Sequence, residues 1–102
     1  MIKPDLDKAR RETNRWLILQ CLDSARPLGA GESLLMSALT DVTQLTQMEL
    51  RRELDYLQVR ALVELSGIHS QQWHAKLTRH GVDVAEYTVD IEPGIARPQK
   101  YW

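Results

Sequence analysis

The spacing of apolar residues changes period at Leu62, and that change limits the chain to few layouts. Before it, Leu50, Leu54 and Leu57, with Ala61 continuing the stripe, recur at i, i+4, i+7 and i+11, the repeat of one helix face. After it, Leu62-Val-Glu-Leu-Ser66 alternates apolar and polar and Gly67 offers a turn. Gln71-Gln-Trp-His-Ala-Lys-Leu77 then alternates around Trp73, Ala75 and Leu77. A helix thus runs almost directly into a two-stranded ribbon. The helix has a defined start, because Thr46-Gln-Met-Glu49 matches the capping box, in which a hydroxyl and a carboxylate satisfy free amides at a first turn. The stripe leaves Gln47, Arg51, Arg52, Asp55 and Gln58 largely outward over about four turns.

The flanking segments complete the order. Asp5 to Ala25 contains no Gly or Pro and repeats Ile18, Leu19, Leu22 and Ala25 at helical spacing; its opening half carries Lys8, Arg10, Arg11 and Arg15 against Glu12. This predicts a first helix that begins wet and ends buried. Arg26 to Gly31 holds one Pro and two Gly and predicts a loop. Glu32 to Leu39 reads as a second helix of about two turns, after which the β-branched and cap-prone residues 41–46 interrupt the pattern. Thr78 can cap a last helix through Val82, Val84 and Ala85 to about Tyr87, with Gly81 weakening its first turn. The expected fold class is mainly α with a small β-hairpin (α+β), in the order α-α-α-β-β-α, as one domain over 1–87. Residues 88–102 form an extended tail with Pro93, Gly94 and Pro98, ending in Tyr101-Trp102, which either packs on a partner or remains mobile.

Two helices joined by a short turn and followed by a ribbon, with Leu77-Thr-Arg-His-Gly81 ending that ribbon, resemble the winged helix-turn-helix family of nucleic-acid-binding domains. The resemblance spans roughly Arg10 to Tyr87, and Leu77, Thr78 and Gly81 stand where the family often has a Leu-Thr-x-x-Gly phrase. More narrowly, Leu77-Thr-Arg-His-Gly-Val-Asp-Val-Ala-Glu86 followed by Pro93-Gly-Ile-Ala-Arg-Pro98 is similar to a small winged-helix protein family of Mu-like bacteriophages and prophages. The resemblance implies a third helix that enters the major groove and a ribbon turn, the wing, that contacts backbone or minor groove.

By position, the DNA-binding set implied is Thr46, Gln47, Met48, Arg51, Arg52 and Asp55 on the third helix, with His69, Ser70, Gln71, Lys76 and Arg79 from the wing and its neighbours. Gln and Arg can read adenine and guanine edges bidentately. The competing reading is a solvated face, since Arg51, Arg52 and Arg60 are balanced by Glu49, Glu53 and Asp55 and can pair across a turn. Ser66 to Gly81 contains Lys76 and Arg79 and no acid, whereas Asp83, Glu86, Asp90 and Glu92 make the closing stretch acidic. The basic half of helix one, with the wing, would flank the third helix as phosphate contacts require, if geometry puts them on one face.

Other classes are excluded on simple grounds. The chain has 102 residues, with 13 Lys and Arg against 14 Asp and Glu, so it suits neither a multidomain enzyme nor a protein that coats nucleic acid through bulk charge. No P-loop, G-x-S-x-G, H-E-x-x-H or dinucleotide phrase is present, so neither enzyme activity nor a cofactor is expected. His69, His74 and His80 are five and six apart and form no ligand pair, so no metal is expected. The single Cys21 falls among apolar residues and reads as core. The longest apolar run, Trp16 to Leu19, is far below the roughly 20 residues of a membrane span, and the charged opening lacks an export signal. The expected location is cytoplasmic, with no membrane partner. Trp73 reads as core, and Trp16 as a candidate anchor of a homodimer formed by the first and last helices.

Two functions remain. One is a transcriptional regulator of phage or prophage type that binds double-stranded DNA through the third helix and wing. The other is a non-enzymatic interaction module that docks a phage or host protein through helix one and the tail. Arg51, Arg52, the capped third helix and the acid-free wing favour the first. Near-neutral charge and the acidic, aromatic-ended C-terminal region favour the second.

Overall fold

The computed structural model describes residues 5–100; residues 1–4 and the aromatic end Tyr101-Trp102 lie outside the described residues. The elements are α1 (Leu6–Ser24), β1 (Ala30–Gly31), α2 (Glu32–Thr43), α3 (Gln47–Val59), β2 (Val63–Ser66), β3 (His74–Leu77) and α4 (Arg79–Ala85). The α-α-α-β-β-α order expected from the sequence is present, with one addition. The ribbon gains a third strand, giving an antiparallel sheet in the order β1-β3-β2. In it Ala30 pairs with Ala75 and Gly31 with His74, while Val63 faces Leu77 and Leu65 faces Ala75. β1 comes from the segment read as a loop: at Gly29, φ is +78° and a Cβ would lie 2.3 Å from the Ala75 carbonyl oxygen, so only glycine lets the chain close on β3 there.

The core is built from the expected stripes. Ile18, Leu19 and Leu22 of α1, Leu35 and Leu39 of α2, Leu50, Leu54 and Leu57 of α3, and Val63, Ala75 and Leu77 of the sheet are buried together with Val84 of α4. α1 begins exposed and ends buried, as its charge distribution implies. Asp5 caps it by accepting from the Lys8 amide at 3.0 Å. α3 opens on the capping box: Thr46 accepts from the Glu49 amide at 3.1 Å, and Glu49 accepts from the Thr46 amide at 2.9 Å. Leu45 before the cap and Leu50 after it are both buried, the arrangement of a hydrophobic staple.

Four sequence expectations are corrected. α2 runs on to Thr43 instead of stopping near Leu39: the Thr40 hydroxyl donates to the Met36 carbonyl one turn back instead of capping a helix end, and weak helix propensity does not by itself end a helix. The helix ends only at Gln44, in the left-handed region at φ 54°. Ala61 does not continue the α3 stripe. It is exposed at φ +62°, where its amide bonds to Gln58 O at 2.9 Å and the Leu62 amide to Leu57 O at 2.9 Å. Those two bonds form a Schellman motif, and Leu57 and Leu62 supply its apolar contact, both buried. Trp16 is not a surface anchor: it is buried and meets Tyr87 edge-on, with ring centroids 5.8 Å apart. The described part of the tail packs back on its own domain. Ile95 is buried, the Ala96 amide donates to Glu12 O at 3.0 Å, and Arg97 donates to Val84 O and Val89 O.

The Leu-Thr-x-x-Gly phrase has a physical basis at the junction of α3, the ribbon and α4. The Thr78 hydroxyl accepts from the Gly81 amide at 3.0 Å and donates to Ala61 O at 2.6 Å, while the Thr78 amide donates to Leu62 O at 3.0 Å. A Cβ on Gly81 would stand 2.0 Å from Leu62 O, so the residue that weakens the helix as an isolated segment is what allows α4 to seat. No helix among the described residues is long and apolar enough to cross a membrane.

Two substitutions test this junction by thermal or denaturant unfolding. Gly81→Ala is expected to destabilise by about 1–3 kcal/mol through overpacking. Ala61→Gly is expected to stabilise by up to about 1 kcal/mol by relieving the left-handed residue. A stabilising Gly81→Ala or a destabilising Ala61→Gly would contradict the geometry.

Candidate nucleic-acid interface

α3 is fastened to the rest of the domain by three arginine–glutamate pairs, and these decide which side chains stay available. On the α2 and wing side, Arg51 Nε lies 2.5 Å from Glu32 Oε2 and its Nη2 lies 2.9 Å from Oε1. Glu32 is buried. The same guanidinium donates from Nη2 to the Gln71 carbonyl at 3.1 Å and lies 5.0 Å from the Trp73 ring centroid. On the α1 side, Arg15 Nε donates to Glu53 Oε1 at 2.9 Å, its Nη1 donates to Gly94 O at 2.8 Å, and its guanidinium stacks 3.5 Å from the Tyr56 ring centroid. Glu53 is fully buried. At the helix start Arg10 pairs with Glu49 and donates to Thr43 O at 3.0 Å.

The electrostatics follow from these contacts. Arg51's hydrogen bond holds the Glu32 carboxyl below its usual range against the opposing effect of burial, with Gln47 and the Trp73 amide assisting. The Thr46 amide, then Arg10, does the same for Glu49. Burial pushes the Cys21 thiol up, away from a reactive thiolate. Among the described residues no three His, Cys, Asp or Glu side chains stand close enough to hold a metal ion.

The residues expected to meet DNA fall into four groups. Met48, Arg52 and Asp55 lie exposed along the outward ridge of α3, with Met48 82% exposed and the Arg52 side chain 57% exposed. Gln47 is exposed beside them and also bonds to Glu32. His69, Ser70 and Gln71 form the exposed wing turn next to that helix; Ser70 Oγ braces the turn, 2.7 Å from Gly67 O and 2.9 Å from Gln72 O. Thr46 serves as cap and Arg51 as clamp, so both are tied into the scaffold. Lys76 and Arg79 stand apart. Lys76 faces Glu64 across the sheet at 4.0 Å, in a groove with Pro27, Leu28 and His74 that no α3 residue lines, and Arg79 is exposed at the start of α4.

Helix one contributes differently from its charge count. Arg10 and Arg15 turn inward to Glu49 and Glu53, whereas Arg11 lines a groove between α1 and α3 together with Arg52. Sequence reasoning missed Glu32 and Glu53, which it treated as a helix start and a surface balance. A signal existed for Glu53: at i+3 from Leu50 and i−4 from Leu57 it adjoins the buried stripe, and a buried carboxylate requires a partner. No comparable signal marks Glu32.

The layout is that of a winged helix. A solved structure of a candidate DNA-binding protein from Ralstonia eutropha JMP134 has the same fold, with a TM-score of 0.62 and 23% identity over 76% of this chain and 95% of that one. At that identity the likeness shows the fold alone. No family model matches the chain, and no curated protein matches it.

Breaking a clamp should cost stability where trimming the ridge does not. Arg15→Ala leaves Glu53 buried without its main partner and is expected to lose about 3 kcal/mol, read by urea unfolding. Arg51→Ala is expected to lower Tm, while Arg52→Ala leaves it within a degree or so of the parent. Because Glu32 and Glu49 have lowered folded pKa values, their stabilisation is complete above the unfolded carboxylate value, about 4.3, and is lost as pH falls through the folded values. Tm should therefore fall below about pH 4.3, and less steeply in Glu32→Gln than in the parent.

Proposed function

We propose that this chain binds double-stranded DNA, with the outward ridge of α3 in the major groove and the 68–72 wing turn on the adjacent backbone. The observation that carries this reading is the bond from Arg51 to the Gln71 carbonyl. It joins the two elements a winged helix uses on DNA into one rigid, contiguous surface, and a preformed surface loses little freedom on binding. Arg52 and Gln47 are suited to base edges, and Met48 to a thymine methyl. Arg11 and Lys8 on helix one, together with the acid-free wing, supply phosphate contacts on either flank.

The DNA-binding description of the similar Ralstonia protein supports the same class of ligand. A role in transcriptional control of phage or prophage type is the finer form of this proposal, and rests on the resemblance of residues 77–98. The rival module, docking through helix one and the tail, would require residues 94–98 to leave the contacts they make with α1 and α4.

Fluorescence anisotropy of a mixed-sequence duplex, at low and moderate salt, tests the proposal. Binding should weaken at least about tenfold between the buffers, as counterion release demands. Arg52→Ala should cost about 1–3 kcal/mol of affinity on a selected site, with the fold intact. Absence of binding at low salt would refute the proposal. Arg51→Ala is not a clean probe, because its guanidinium also holds the fold together.

A further inference from the structure

The ridge of α3 carries a pattern that a duplex alone does not explain. Met48, Arg52, Asp55 and Val59 follow one another at spacings of four, three and four, so at about 100° per residue they occupy one narrow strip along the helix. All four are exposed, and Val59 is 80% exposed with no apolar neighbour on the strip to shield it. Read along the helix, the strip is apolar, cationic, anionic, apolar. Positions 48 and 59 share a midpoint with positions 52 and 55, between Glu53 and Leu54. Turned end to end, the strip is therefore complementary to itself.

We infer that this ridge pairs antiparallel with the same ridge of a second copy, making self-association and duplex binding alternative uses of one face. The competition rests on the DNA-binding reading; the pairing does not. A two-fold contact repeats every interaction twice, so Arg52 would meet Asp55 of the second copy in two equivalent ion pairs, and Met48 would meet Val59 at both ends. The four-three-four spacing is that of a coiled-coil seam, which lets two helices approach to about 8–10 Å. The clamps at Arg51 and Arg15 hold α3 from both sides, so the ridge is already formed.

Size sets the strength. Thirteen residues make a helix about 20 Å long, and one such face covers less than the roughly 800 Å² per partner of a standard interface. The pairing is accordingly weak and dependent on concentration.

Sedimentation equilibrium of the full chain from micromolar to millimolar concentration reads the pairing directly. The parent should move from monomer toward dimer. Arg52→Asp, which sets like charges opposite one another twice, should raise the dimer dissociation constant at least about tenfold, and Arg52→Asp with Asp55→Arg should restore it. Circular dichroism should show all variants folded, since both positions are exposed and Glu53, which Arg52 reaches at 3.5 Å, keeps its 2.9 Å bond from Arg15. A monomer throughout the range, or a dimer insensitive to the reversal, or one that the exchange fails to restore, would overturn the inference. With duplex added, dissociation of the dimer into monomer–DNA complexes supports the competition, and an intact dimer on DNA overturns it. Charge-dependent pairing in a protein that never binds duplex would uphold the ridge contact and refute the DNA-binding reading alone.

Discussion

A carboxylate with almost no contact with water must find a cation, and Glu32 finds Arg51. The remaining architecture follows from where the two ends of that pair sit. Glu32 opens α2, its amide donates to Trp73 O at 2.8 Å, and Arg51 lies mid-way along α3. The guanidinium also reaches the wing carbonyl at Gln71 and stacks near Trp73. A single ion pair thus fixes two helices and the ribbon relative to one another. Burying the carboxylate carries a desolvation cost, and the several hydrogen bonds on each partner are what offset it.

The second buried carboxylate, Glu53, does the same on the opposite side of α3. Arg15 ties it to α1, to the Tyr56 ring and to the backbone at Gly94, so the C-terminal segment is drawn into the domain. Arginine function is consequently divided by geometry. Arg10, Arg15 and Arg51 hold the scaffold, while Arg11 and Arg52 face the groove between α1 and α3. The chain's near-neutral net charge hides this division, because a sum of charges does not distinguish arginines held in clamps from those left on the surface.

Much of the fold was legible because local rules agreed with the global packing. The Thr46–Glu49 capping box, the Leu50–Leu54–Leu57 stripe and the switch to alternation at Leu62 each appear where they were expected. The rest lay beyond local rules. Arg51 and Arg52 are adjacent and both read as outward, yet only the position of the α2 start separates a clamp from an exposed side chain that reaches its neighbour Glu53 at 3.5 Å. β1 has two residues, too few for a periodic signal, and depends on a glycine approaching β3. Val42 and Thr43 suggested a break, but their low helix propensity is a weak preference, and α2 continues past them with Val42 exposed. Ala61 kept the heptad spacing although the helix had already closed on Leu57 and Gln58.

The central claim is that neighbouring arginines on α3 have separate tasks, Arg51 within the fold and Arg52 on its surface. Nitrogen-15 NMR of the arginine Nε–H groups measures that separation directly. Arg51 and Arg15 should give dispersed resonances protected from solvent exchange, and Arg52 and Arg11 should give averaged, rapidly exchanging ones. An Arg51 resonance that exchanges as fast as that of Arg52 would contradict the account.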